Sequence, residues 1–161
     1  MSNLATYSNI ILEKLSNNKK QLKEQFNNSE FEVGVRYFFI DDLLPDDIAI
    51  KIYNQFPISS SMRLMNSIRE KKYTTKDFNE FHPILKDITF AFQEKTIVTL
   101  VEEITGIMNQ VPDDKLYAGG LSLMKKNNIL NPHIDNSHDG DRKLYRTLNL
   151  LYYVTPNLSE T

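Results

Sequence analysis

The residues in this sequence best suited to chemistry are His133 and Asp135, which stand on either side of Ile134. On a strand, successive side chains point to opposite faces, so this spacing directs the imidazole and the carboxylate to one face. A histidine and a carboxylate that converge supply two of the three ligands in the 2-His-1-carboxylate set, which holds non-haem Fe(II) and leaves positions open. The spacing predicts part of an iron site whose third protein ligand lies elsewhere.

A bare His-x-Asp triplet is more often a surface hydrogen bond or a loop cap than a metal site. The strand predicted to follow it favours the site, because a period of two places polar side chains on one of its faces. That face carries Thr147, Asn149, Leu151 and Tyr153. The alternative is that these polar groups only satisfy buried atoms in a sandwich core.

Composition limits the other classes of function. The chain has 161 residues, of which 40% are hydrophobic and 25% charged, as expected for one domain with a core. The absence of cysteine excludes disulfides and thiolate metal sites. A net charge of -2, from 19 basic and 21 acidic residues, argues against nucleic acid, and the sequence has no membrane-length apolar run. We expect a soluble cytoplasmic protein that binds neither nucleic acid nor membrane.

Periodicity predicts the elements that position these residues within a single domain spanning 1–161. The predicted helices are 4–26, stopped at Asn27 and Asn28, then 45–56, opened by Pro45, and 84–104, broken near Gln93 and capped by Gly106. The predicted strands are 31–40, 71–75, 116–126, a short one around Ile134, and 144–154, with a loop over 59–67. The domain is thus expected to contain an N-terminal helix (1–30), a helical support region (31–115) and core strands (116–161).

Three runs of sequence carry a family resemblance. PHIDNSHDGDRKLYRTLNLLYYVTPN, at 132–157, resembles the iron-binding half of the 2-oxoglutarate and Fe(II)-dependent dioxygenases, in their prolyl 4-hydroxylase-like branch. RYFFIDDLLPDDIAIKIYNQFP, at 36–57, and ITFAFQEKTIVTLVEEITGI, at 88–107, resemble the opening strand and helix and the long helix of that branch. The resemblance implies an α+β fold, a double-stranded β-helix or jelly roll with helices packed on one face and an incomplete core in this chain.

The resemblance also implies roles for four residues. His133 and Asp135 would be the first two iron ligands, and Tyr153 would hydrogen-bond the distal carboxylate of 2-oxoglutarate. Asn149 would contact the cosubstrate or the substrate. The expected function is an oxygenase that hydroxylates a peptide or small molecule, with Fe(II) and 2-oxoglutarate as cofactors and ascorbate compatible with the class.

The sequence departs from the family pattern at its end. A Gly-Gly strand, a distal iron-binding histidine and a basic residue for 2-oxoglutarate do not occur before Thr161, and neither His82 nor His138 takes the distal role. We therefore expect a fragment that is inactive alone, part of a longer enzyme or one that pairs with a second copy through exposed sheet edges. The alternatives are a non-catalytic jelly-roll binding module and, more weakly, a cupin-like metal isomerase.

Overall fold

The computed structural model describes residues 2–75, 77–117 and 119–156, which form α-helices and one antiparallel sheet. The helices are α1 (Leu4–Val33), α2 (Asp46–Asn54), α3 (Pro83–Ala91) and α4 (Lys95–Thr105), with a 3₁₀ turn at Ser59–Ser61. The strands are β1 (Arg63–Asn66), β2 (Glu70–Thr75), β3 (Leu121–Leu123) and β4 (Ile129–Leu130).

Helix α1 is the longest element and packs against α3 and α4. Its buried side chains recur at helical spacing and are Tyr7, Ile11, Leu15, Leu22 and Phe26. The predicted helix is confirmed, but its predicted stop is wrong. The helix continues to Val33 and ends at Gly34, whose φ of 74° allows its N–H to bond the Glu30 carbonyl.

The N-terminus of α1 is held by a carboxylate from α3. Asp87 is only 7% exposed and accepts hydrogen bonds from Ser2 Oγ at 2.8 Å and from the Asn3 backbone N–H at 2.7 Å. A negative charge at a helix N-terminus also complements the helix dipole. Burial, and then the nearby charge of Asp87, raise the pKa of Tyr7 on the first turns of α1.

Helices α3 and α4 confirm the predicted break near Gln93 and the predicted cap at Gly106. His82 caps α3, since its Nδ1 accepts a hydrogen bond from the Ile84 N–H at 3.2 Å. Gly106 ends α4 with a φ of 73°, a left-handed conformation that glycine adopts without a Cβ clash. Helix α2 also forms as predicted, although Pro45 is its N-cap rather than its first residue.

Strand β2, which confirms the predicted strand at 71–75, pairs with β1 on one side and with β3 and β4 on the other. The register sets Tyr73 opposite Leu64 and Leu123, so these side chains share a face. Tyr73 and Leu123 pack against the hydrophobic core. The other face of β2 carries Glu70, Lys72 and Thr74.

The strand predicted at 31–40 is wrong. Residues up to Val33 belong to α1, and 35–40 form no strand. The backbone N–H groups of Tyr37 and Phe39 donate instead to Ser29 Oγ and Gln25 Oε1, both at 2.9 Å. Side chains of α1 thus take the hydrogen bonds that a neighbouring strand would have provided.

The remaining strand predictions need further correction. The predicted loop at 59–67 contains the 3₁₀ turn and β1, and the strand predicted at 116–126 is reduced to β3. The strands predicted around Ile134 and over 144–154 are wrong, since within residues 119–156 these segments make only the isolated bridge between His138 and Tyr145. A strand requires a partner backbone, and alternation of side chains does not supply one.

The helices and the four-stranded antiparallel sheet make this a mixed α and β fold. That arrangement does not by itself identify a jelly roll, so the jelly roll stays a prediction. Among the helices described, none combines the length and the apolar character that crossing a membrane would require.

Candidate metal centre

Asn131 fixes the start of the segment that carries the candidate ligands. Its backbone N–H donates to the Arg69 carbonyl, and its side-chain Nδ2 donates to the Ile68 carbonyl, each at 2.9 Å. Both acceptors lie in the turn between β1 and β2. The sheet therefore determines where His133 lies, although this histidine is outside the strands.

His133 and Asp135 lie together. The distance from His133 Nε2 to Asp135 Oδ1 is 3.3 Å, and the two side chains are 23% and 46% exposed. The Nδ1 atom of His133 lies 2.8 Å from the backbone carbonyl oxygen of Asn131. Because a carbonyl oxygen only accepts hydrogen bonds, Nδ1 carries a proton, and Nε2 faces the carboxylate.

A lone pair facing a carboxylate oxygen is favourable only when something positive lies between or beside them. That positive group is either a second proton on the imidazole or a bound cation. Metal-ligating histidines commonly donate their other ring N–H to a carbonyl, which fixes the tautomer. The Asn131 carbonyl makes this contact to His133, so the donor set fits two ligands of a divalent metal such as Fe(II).

Asn149 and Arg146 both lie beside the Oδ2 atom of Asp135. Asn149 Nδ2 donates to Asp135 Oδ2 at 3.3 Å, and Arg146 Nη2 lies 3.7 Å from the same oxygen. Arg146 Nη2 also donates to Asn149 Oδ1 at 2.7 Å. The amide and the guanidinium therefore orient the carboxylate on the side away from His133.

The two adjacent tyrosines have different environments. Tyr152 is half-buried and packs on Phe92 with ring centroids 5.5 Å apart, and its burial raises its pKa. Tyr153, which sequence reasoning assigned to cosubstrate binding, is 76% exposed, and its hydroxyl has no hydrogen bond with a described residue. The structure thus brings together His133, Asp135 and Asn149, but it does not place Tyr153 in contact with them.

The other two histidines have separate contacts. His82 caps α3, and His138 lies 2.7 Å from Ser137 Oγ through its Nδ1 and packs on the ring of Tyr145 at 4.5 Å. Across residues 2–75, 77–117 and 119–156, no three His, Cys, Asp or Glu side chains are grouped as a metal site. His133 and Asp135 thus form a pair rather than a complete triad.

Glu70 on β2 lies near the pair, and its pKa is lowered. The largest cause is a hydrogen bond from Lys72, whose Nζ lies 2.8 Å from Glu70 Oε2 and lowers the pKa. Partial desolvation acts in the opposite direction and raises the pKa, while Arg69 and His133 lower it further. Because Lys72 already neutralises Glu70, this carboxylate is a neighbour of the pair rather than a member of it.

Sequence reasoning missed Arg146. On a strand, a period of two would place Arg146 on the face opposite Asn149, but the segment forms no strand ladder, and the long side chain reaches Asp135. Its positive charge near a predicted carboxylate ligand was the available signal. Comparisons with protein-family models, curated proteins and solved structures give no match to this chain.

Proposed function

We propose that the chain supplies part of the iron site of a 2-oxoglutarate-dependent oxygenase that hydroxylates a peptide or small molecule. The single observation that supports this most is the orientation of His133, whose Nδ1 proton is directed to the Asn131 carbonyl while Nε2 points toward Asp135. An imidazole and a carboxylate held in this way could serve as two metal ligands.

The residues of the pair have distinct roles in the proposal. His133 and Asp135 bind Fe(II), and Asn149 orients Asp135 through the hydrogen bond to Oδ2. When bound, the metal with 2-oxoglutarate supplies oxygen activation, which is driven by decarboxylation of 2-oxoglutarate to succinate. The exposure of Asp135 leaves room on the solvent side for a cosubstrate. The proposal needs one further protein ligand, which the described residues do not provide beside the pair.

An anaerobic titration with Fe(II) and 2-oxoglutarate tests the proposal. We expect the visible charge-transfer absorption of the ternary complex, and we expect His133→Ala and Asp135→Ala to abolish it. His138→Ala is the matched control, because that ring packs on Tyr145 away from the pair, and it should retain the band. No band with the wild-type protein, or an equal band with His133→Ala, would contradict the proposal.

A non-catalytic binding module is the second candidate, and exposed apolar side chains near the pair favour it. Ile134 is 93% exposed and Leu151 67% exposed. If this candidate is correct, an added partner will protect these side chains while Fe(II) changes neither absorption nor stability. Fe(II)-dependent stabilisation that is lost in Asp135→Ala would exclude it.

We also propose that copies of the chain self-associate through segment 146–154, which has no strand partner among the described residues. Leu150, Leu151 and Tyr153 are all more than half exposed on it. Backbone without a strand partner beside exposed apolar side chains favours pairing with another chain. Sedimentation should show a dimer that Leu151→Lys dissociates, and a monomer at all concentrations would refute this.

A further inference from the structure

Strand β1 leaves one edge of the sheet open. It pairs with β2 on one side, and no strand of the described part of the chain lies on its other side. The Ser67 N–H donates to the Glu70 carbonyl at 2.8 Å, so Ser67 directs its backbone groups toward β2. Residues of an antiparallel ladder face the partner and face away in turn. Leu64 and Asn66 therefore direct their N–H and C=O groups outward, to the open edge.

This edge offers hydrogen bonds and an apolar contact to a further strand. The backbone groups of Leu64 and Asn66 have no hydrogen bond to a described residue. The side chain of Leu64 is 44% exposed and lies opposite Tyr73 in the register, so the two share a face of the sheet. An extended peptide that pairs with such an edge gains affinity from main-chain hydrogen bonds and specificity from its alternate side chains.

The hairpin formed by β1 and β2 is positively charged. Residues 63–75 contain four basic residues against one acidic, a net charge of +3. The acidic residue, Glu70, is already paired with Lys72 at 2.8 Å. Arg63 and Lys71 are exposed and have no ion pair with a described residue. Charge of this sign attracts an acidic strand and repels a basic one.

The charge also selects among the possible occupants of the edge. Two copies of β1 placed edge to edge would bring two positive hairpins together, and like charges across a strand pair are destabilising. A nucleic acid would match the charge, but it does not carry N–H and C=O groups at the spacing of a strand. An acidic peptide matches both the charge and the outward backbone groups.

We propose that the open edge of β1 binds an acidic, extended segment of a partner protein as an added antiparallel strand. Residues of that segment opposite Leu64 and Asn66 exchange backbone hydrogen bonds with them and carry apolar side chains. The alternate residues share the face of Arg63 and carry carboxylates. The edge lies on the opposite side of β2 from β4, the strand that leads to His133, so the inference does not depend on the function proposed above.

Fluorescence anisotropy with a designed probe tests the charge preference. The probe is a labelled, blocked heptapeptide that alternates glutamate and valine, and its counterpart alternates lysine and valine. We expect the acidic peptide to bind about tenfold more tightly or better. Arg63→Gln should weaken its binding about threefold or more, because a charge beside the added strand is lost. Lys20→Gln is the matched control, since it removes an equal charge from an exposed position on α1, and it should bind like the wild type.

Backbone methylation of the probe tests the strand pairing without changing the protein. One isomer is N-methylated at its three valines, whose N–H groups face β1, and the other at three glutamates, whose N–H groups face solvent. The valine isomer should bind about tenfold more weakly or worse, and the glutamate isomer like the parent. In the wild type, the acidic peptide should also slow hydrogen exchange of the Leu64 and Asn66 amides, which face outward when no peptide is bound.

The remaining outcomes overturn the proposal in separate ways. If the acidic peptide does not bind, the positive charge serves only to keep like edges apart. Equal weakening by the two methylated isomers, or unchanged exchange at Leu64 and Asn66, excludes an added strand. Tighter binding of a single-stranded oligonucleotide than of the acidic peptide excludes a protein segment as the preferred partner.

Discussion

Replacing Tyr152 with alanine should release segment 146–154 from the protein while the helical core stays folded. This segment carries Arg146 and Asn149 to Asp135, but it has no strand partner among the described residues. A backbone hydrogen bond from Arg146 to Ser137 holds its start, and the packing of Tyr152 on Phe92, with ring planes tilted by 51°, holds its later part. Tyr152 therefore helps to hold the segment beside His133 and Asp135.

The size of the effect follows from the contact. An aromatic pair contributes about 0.5–1.5 kcal/mol beyond the area that it buries. Half-burying a ring of this size contributes about 1 kcal/mol more, in proportion to the value for a fully buried large side chain. Tyr152→Ala should therefore cost the attachment about 2 kcal/mol. That free energy lowers the ratio of attached to released segment about thirtyfold.

Limited proteolysis and hydrogen exchange measure this ratio. Trypsin cleavage after Arg146 and amide exchange in 146–154 should both accelerate about thirtyfold if the segment opens and closes faster than it is cut. At a concentration where all variants sediment as monomers, Tyr153→Ala is the control, since that side chain is 76% exposed, and it should change neither rate. Equal acceleration by both variants, or unfolding of the helices without faster cleavage after Arg146, would refute the reasoning.

Three further predictions concern stability. Burial raises the pKa of both Tyr7 and Tyr152, so the folded state holds these phenol protons more tightly than the unfolded state. Their contribution to the free energy of unfolding is fully present below the unfolded pKa of 10.0. It is lost as the pH rises through the folded pKa. Urea unfolding between neutral and alkaline pH should show this loss, and phenylalanine at either position should reduce it. Asp87→Ala should destabilise the protein by about 1–2 kcal/mol, because Ser2 and the first turn of α1 lose their acceptor. Gly106→Ala should cost about 1 kcal/mol through its φ of 73° alone, since no described heavy atom lies within 4 Å of the added Cβ.

Controls decide each of these three. For the tyrosines, an alkaline loss of stability that is equal in the wild type and in both phenylalanine variants would contradict the explanation. Asp87→Asn keeps one acceptor and should cost less than alanine. Gly106→Asn should cost less than Gly106→Ala, because asparagine tolerates the left-handed region better. A reversed order in any comparison would contradict the corresponding explanation.

The helices were predictable from sequence because their signals are local. Ile97, Leu100 and Ile104 recur at helical spacing, and all three are buried. Gly106 marks the end of α4 because only its own backbone has to adopt the left-handed conformation. The stop predicted for α1 failed because asparagine only weakens a helix, and Phe26 and Ser29 still find buried positions on it.

The strands and the site were only partly predictable because they depend on distant residues. Composition predicted a strand at 31–40, but α1 continues to Val33, and Gln25 and Ser29 bond the N–H groups of Phe39 and Tyr37, which local alternation does not reveal. The spacing of His133 and Asp135 did anticipate their contact. Arg146 was missed because its contact depends on how 146–154 crosses the surface rather than on its position in a repeat.

The length of α1 has a consequence for synthesis of the protein on the ribosome. The helix has 30 residues and is about 45 Å long, and its apolar stripe is covered by α3 and α4. Those helices begin only at Pro83, and the contacts of Ser2 and Lys19 reach Asp87 and Glu103. During synthesis α1 leaves the ribosome before residues 83–105, so its apolar side stays exposed until they emerge, and we expect a chaperone to bind it in that interval.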